Sequence, residues 1–164
     1  MPGPPTDLWR GNYYDELEAG QTFHAGSVTV TDAHLVNTAG LYGDFHPFHV
    51  DDVTQASGPF GRRIAHGIFT AGLVIAPIGR IGGRAVATHL EDHVSYLAPV
   101  FVGDTIRVVI EVIDKQPKSR FGIVRFRHTG YNQHEVKVVE ATTVMGHHFS
   151  APALDHATDR VDPA

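Results

Sequence analysis

The segment Gly67-Ile68-Phe69-Thr70-Ala71-Gly72-Leu73-Val74-Ile75-Ala76 constrains this chain more than any other, because it offers almost no polar face. A helix that is apolar all round belongs inside other structure. The run falls well short of the roughly 20 apolar residues that span a bilayer, so it reads as a core helix and no membrane partner is expected. Pro77, Gly79 and Gly82-Gly83 bring it to a stop near Ile78. The second half of the chain supplies the wrapping. Ile106, Val108, Ile110 and Val112 alternate with Arg107, Val109, Glu111 and Ile113, the two-residue period of a strand. Phe121 to Tyr131 and Val136 to Met145 read as further strands, with turns at Pro117-Lys118-Ser119 and Asn132-Gln133-His134-Glu135. Val86 to Tyr96 reads as another strand running into Pro99. An antiparallel sheet around one buried helix is an α+β architecture.

Ahead of that helix, Phe23 to Thr31 contains the strand-like Val28-Thr29-Val30, and Thr31 and Asp32 suit a helix cap. From Asp32 to Tyr42 the residues Leu35, Val36, Ala39 and Tyr42 recur at helical spacing, which predicts one buried face and an end at Gly43. A short helical turn is expected from Asp51 to Ala56, and Ser57-Gly58-Pro59-Phe60-Gly61 is a loop by composition. Residues 1–12, rich in Pro and Gly, and residues 150–164, with little apolar material, are expected as flexible tails around one domain at 13–149. The 164 residues suffice for a single core. A net charge of −5 with no Lys/Arg run argues against nucleic acid. The chain has no cysteine, which excludes disulfides, thiolate nucleophiles and cysteine-ligated zinc and fits a reducing cytoplasm. No basic-then-apolar leader is legible at the N-terminus, so the expected location is cytoplasmic.

Chemistry is concentrated in Asp44-Phe45-His46-Pro47-Phe48-His49 and in Ala65-His66-Gly67. Pro47 disfavours helix at His46, so the stretch is turned or extended and Asp44 and His49 can converge on one small molecule. An imidazole takes and returns protons while a neighbouring carboxylate orients water. The plainer reading has Asp44 capping the next turn and His49 at the surface. Gly67 opens the apolar helix, where backbone N–H groups have no helical partner and can polarise a carbonyl. Arg62 and Arg63 precede it and suit the phosphates of a nucleotide-bearing substrate such as coenzyme A, with a solvated basic loop as the plainer reading. His46 and His49 have H-x-x-H spacing, but no further ligand pair completes a metal site, and no metal is expected. His147-His148 reads equally well as a surface pair.

Together these residues resemble the MaoC-like dehydratases, a hot-dog-fold family that includes (R)-specific enoyl-CoA hydratases. Gly43-Asp44-Phe45-His46-Pro47-Phe48-His49 is similar to the family motif G-D-x-N-P-x-H, and Phe60-Gly61-Arg62-Arg63-Ile64-Ala65-His66-Gly67 to F-G-x-R-I-A-H-G. Tyr96-Leu97-Ala98-Pro99-Val100-Phe101-Val102-Gly103-Asp104-Thr105 resembles a later family signature, and Tyr13-Tyr14-Asp15 with Gly20-Gln21 suits its opening. The resemblance runs from about Tyr13 to Met145. It implies a long central helix in a curved antiparallel sheet, a homodimer or larger homo-oligomer, and reversible hydration of a trans-2-enoyl thioester. Asp44 and His49 would be the catalytic pair and Gly67 the donor to the thioester oxygen, with His46 and Arg63 as further substrate-site residues. The substrate would be an acyl-CoA or acyl carrier protein thioester, with no cofactor beyond the coenzyme A it carries. A hot-dog thioesterase and a non-catalytic acyl-thioester-binding subunit are the alternatives. His46 stands where the family has asparagine, which replaces a non-titrating amide by an imidazole.

Overall fold

The computed structural model describes residues 7–150; the expected tail residues 1–6 and 151–164 lie outside the described residues. Five antiparallel strands form one sheet: β1 (Thr22–Thr29), β2 (Val86–Tyr96), β3 (Thr105–Pro117), β4 (Gly122–Tyr131) and β5 (Lys137–His147). Their order is β1-β3-β4-β5-β2, so the first two strands in sequence sit at opposite edges. Apart from one β-bridge from Ile64 to Phe101, the chain between them is helix and loop: α1 (Asp32–Tyr42), α2 (Pro47–Val50), α3 (Asp52–Gln55), α4 (Gly67–Ile75) and α5 (Ile78–Gly82).

The alternation read in the sequence decides which face is covered. Ile106, Val108, Ile110 and Val112 of β3 are all buried, and the register sets Val112 beside Phe126 and Ile110 beside His128 on β4. Phe126 in turn faces Thr143, and His128 faces Ala141, across the β4–β5 pair. Onto this face α4 lays Thr70 and Val74, and α5 lays Ile78 and Ile81. Gly130 permits the close approach: a Cβ there would come within 2.9 Å of both Val74 and Val139. The curved sheet with a central helix is the hot-dog fold. Among the described residues, no helix is long and apolar enough to cross a membrane.

The central helix is shorter and barer than its sequence suggests. It ends at Ile75, and the chain turns through Ala76-Pro77 before α5. One side is left open, with Ile68 49% exposed, although no polar residue marks that side in the sequence. In α1 the bounds and the left-handed Gly43 cap (φ 72°) are as expected, but the buried stripe is Leu35, Thr38 and Ala39. Val36 and Tyr42 are 62% and 57% exposed, because only one narrow side of this helix meets the core.

Asn12, at the end of the segment expected as tail, bonds to the fold. Asn12 donates twice to the Ile81 carbonyl, at 2.8 Å from its backbone N and 2.7 Å from Nδ2, and its own carbonyl accepts from His147 Nδ1 at 2.9 Å. His147 is thereby fully buried while His148 is exposed, so the two do not form a surface pair. Ser150 N donates to Asp15 at 3.1 Å.

Candidate active site

The catalytic candidates sit where α1, α2 and the loop before α4 meet. After Gly43, Asp44 folds back in a tight side-chain turn, its Oδ1 accepting from His46 N at 3.2 Å. His46 is extended (ψ 136°), and Pro47 starts α2, since proline at the first helical position loses only an N–H that has no partner there. Pro47 predicts a turned stretch, and the plainer reading has Asp44 capping the next turn; the N-cap of α2 is His46 instead. His46 Nδ1 accepts from Phe48 N at 3.2 Å, so the imidazole caps α2 as a side-chain carbonyl oxygen would. This accounts locally for histidine at that position.

α2 turns His49 inward, leaving it 9% exposed. Its Nδ1 lies 2.8 Å from the Ile64 carbonyl oxygen, and a carbonyl only accepts, so Nδ1 carries the hydrogen. Nε2 is left with its lone pair and faces Asp44 Oδ2 at 3.8 Å. Burial pushes the His49 imidazole below the usual 6.5, outweighing the carbonyl and the Asp44 charge, which pull the other way. His49 is therefore neutral and basic at pH 7. The Asp44 carboxylate, 47% exposed, keeps one oxygen facing the gap.

The strand-like segment 64–65 carries the chain from this pair to the helix. Ile64 N donates to the Phe48 carbonyl at 2.9 Å and Ala65 N to the Val100 carbonyl at 2.7 Å. The N-cap of α4 is His66, whose side chain makes no cap bond to the first N–H groups of the helix. A Cβ on Gly67 would lie 3.1 Å from the ring of Tyr96, and glycine keeps that junction open. A cleft of about 330 Å³ opens here, lined by His49, Gly67, Thr70, Phe60, Tyr96 and Pro99 among others. Its walls are mostly apolar. Its polar end holds the imidazole and the helix terminus.

Arg63 and His46, both expected at the substrate site, make bonds within the chain. Arg63 Nε bonds Asp52 at 2.6 Å, its Nη2 bonds Asp32 at 2.7 Å, and its Nη1 lies 3.4 Å from the His49 carbonyl. The two carboxylates raise its already high pKa, and the side chain ties α1, α3 and the His49 turn together. Arg62, by contrast, has its guanidinium 4.0 Å above the Phe101 ring, and no carboxylate pairs with it among the described residues. His46 acts on the backbone of α2 and does not line the cleft.

Asp44, His49 and His66 bring one ligand atom each within 4.8 Å of one another, a spacing that suits a metal ion. The hydrogen bonds argue otherwise. His66 Nε2 is 3.0 Å from the Asp44 carbonyl and so carries a hydrogen, and the His49 and His66 rings are stacked at 3.9 Å with planes 25° apart. Stacked rings keep their in-plane lone pairs in two nearly parallel planes, a poor arrangement for two ligands of one ion. Tyr96 and His66 are the site residues that the sequence reading left without a role. Only the Ala65-His66-Gly67 string and the strand end at Tyr96 hinted at them.

The MaoC-like domain model matches residues 16–142 of this chain. The chain belongs to the MaoC-like domain family. A 3-hydroxybutyryl-CoA dehydratase of Methylorubrum extorquens is 36% identical to it over 109 residues, 66% of this chain and 68% of that one. An (R)-specific enoyl-CoA hydratase of Rhodospirillum rubrum is 30% identical over 135 residues, 82% of this chain and 91% of its own. The unliganded R-hydratase PhaJ1 from Pseudomonas aeruginosa superposes with a TM-score of 0.76 at 26% identity, covering 93% of this chain and 97% of that one. The family match includes Asp44, His49 and Gly67 within its span.

Proposed function

We propose that this MaoC-like protein is a hydro-lyase that hydrates a trans-2-enoyl-CoA reversibly to the 3-hydroxyacyl-CoA. The observation that carries the reading is the 3.8 Å separation of the Asp44 carboxylate from the unprotonated His49 Nε2, beside a helix N-terminus without a side-chain cap. That gap is too long for a hydrogen bond and suits one water donating a hydrogen to each acceptor. The water's oxygen lone pairs are then free to attack.

The oxygen adds to the β-carbon of the enoyl group while the Asp44/His49 pair takes a proton from the water. The electron pair of the double bond moves onto the thioester oxygen, where Gly67 N–H and the helix dipole stabilise the enolate. The pair then returns a proton to the α-carbon, so the net change is addition of one water. The reverse sequence is dehydration. Coenzyme A enters as part of the substrate, and Arg62 replaces Arg63 as the cation suited to its phosphates. An acyl carrier protein would present the same thioester.

The names of the related dehydratase and hydratases support this reaction. The assembly we propose is a homo-oligomer, supported by apolar residues left bare: Ile68 on α4, Leu90 on the edge strand β2, and Leu97 after it.

The test is an incubation with crotonyl-CoA and a panel of longer enoyl-CoAs, reading enoyl absorbance and free thiol together. The expected result is loss of absorbance with no thiol. Thiol release would make the protein a thioesterase, and neither signal on any substrate would make it a binding subunit.

A further inference from the structure

The hydration reaction makes no use of the side chain of His66, yet it is fully buried at the heart of the site. Its Nε2–H donates to the Asp44 carbonyl at 3.0 Å, and Nδ1 therefore holds the lone pair, buried and without a hydrogen-bond partner. Its ring is the surface against which the His49 ring is stacked. Its carbonyl accepts from Thr70 N at 3.0 Å and from Thr70 Oγ1 at 3.1 Å, which fixes the first turn of α4. One residue thus touches the backbone of Asp44, the ring of His49 and the helix that begins at Gly67.

An imidazole is a costly way to fill this space. A phenylalanine would present the same flat face to His49 without burying an unpaired acceptor. What phenylalanine lacks is the N–H directed at Asp44. We propose that His66 is a positioning residue, whose Nε2–H and ring face hold Asp44 and His49 at their working separation. This deepens the hydratase reading and rests on it for the reaction concerned.

The geometry has three consequences. Without the N–H, the Asp44 carbonyl is unheld and the turn from Gly43 to Pro47 relaxes away from His49. Water then reaches His49, and the burial that depresses its titration is relieved. Substrate binding in the apolar cleft is little changed, because His66 does not line it.

The variants are His66→Phe, which keeps the ring face, and His66→Gln, which keeps a side-chain N–H. In His66→Phe we expect the thermal transition to be retained or raised and kcat to fall about tenfold or more with KM within about twofold. The acid limb of kcat/KM should move up toward the ordinary histidine value. His66→Gln should recover part of the lost kcat. An NMR titration of the His49 ring gives a readout independent of turnover, and it should move upward in His66→Phe. A folded His66→Phe protein with wild-type kcat and an unmoved His49 titration would overturn the proposal. So would a loss confined to KM. A wild-type protein inactive on every enoyl-CoA, but whose His49 titration moves in His66→Phe, would overturn the reaction and leave the positioning role standing.

Discussion

Asp44→Asn lowers kcat/KM on enoyl-CoA by about 10³-fold or more, and His49→Ala does the same, as expected for loss of a group that moves protons in the transition state. Asp44→Asn is the more discriminating of the two. Its Oδ1 retains the bond from His46 N, and the residue is half in solvent, so the fold has little to lose. What disappears is the charged acceptor facing His49. His49→Ala also removes a ring stacked on His66 and a hydrogen bond to Ile64, so part of its effect falls on stability. A folded Asp44→Asn protein with wild-type rates would sink the assignment of the pair.

The pH profile adds a sign. In the proposed pair His49 is held below 6.5 by burial, so kcat/KM should persist as pH falls through 6.5 and drop only below it. An acid limb centred above 6.5 would contradict the role given to His49.

Acid should also destabilise the fold through a histidine remote from this chemistry. His128 on β4 is fully buried beneath α4, with Nδ1 3.3 Å from the Val74 carbonyl and Nε2 unpartnered. Burial lowers its pKa to about 4 from 6.5. Between those values the unfolded chain binds a proton that the native protein refuses. Stability is therefore complete above pH 6.5 and declines as pH falls toward 4. The linkage amounts to about 3 kcal/mol across that window. Burial depresses His147 as well, with the same sign.

Urea unfolding at a series of pH values between 7 and 4 measures the slope, and His128→Leu isolates its source. The leucine variant also removes an unpaired buried nitrogen, so it should resist acid better than the wild type even if the two differ at pH 7. Parallel stability curves for the two proteins would show that His128 does not carry the effect.

Most of the scaffold was readable because strand and helix periods record which side of an element is covered. The bounds of α1 and β2 follow from Thr31, Gly43 and the strand ending at Tyr96, and the alternation in β3 is repeated in its burial. Errors arose where the answer depended on partners far away in sequence. Val36 and Tyr42 share the spacing of Leu35, but both are more than half exposed among the described residues. Arg63 looks like a free cation until Asp32, distant in sequence, is folded against it. His66 resembles any buried histidine until its ring is seen against His49. The apolar helix pointed to a wrapping that one chain leaves incomplete at Ile68.

The strand order has a consequence for how such a protein can change over time. All the proton-handling and helix-terminus groups lie between residues 44 and 67, inside the connection that runs from β1 at one edge of the sheet to β2 at the other. The meander β3–β4–β5 supplies half of the buried apolar core among the described residues and none of those groups. The meander meets the cleft through α4, β2 and the Val138 carbonyl, which accepts from Leu97 N and Ala98 N, so substitutions away from these contacts can accumulate while the reaction is kept. The connection can be rebuilt around a new acyl group while the sheet stands unchanged. Durability and chemistry occupy separate stretches of one short chain, and selection can act on each with little cost to the other.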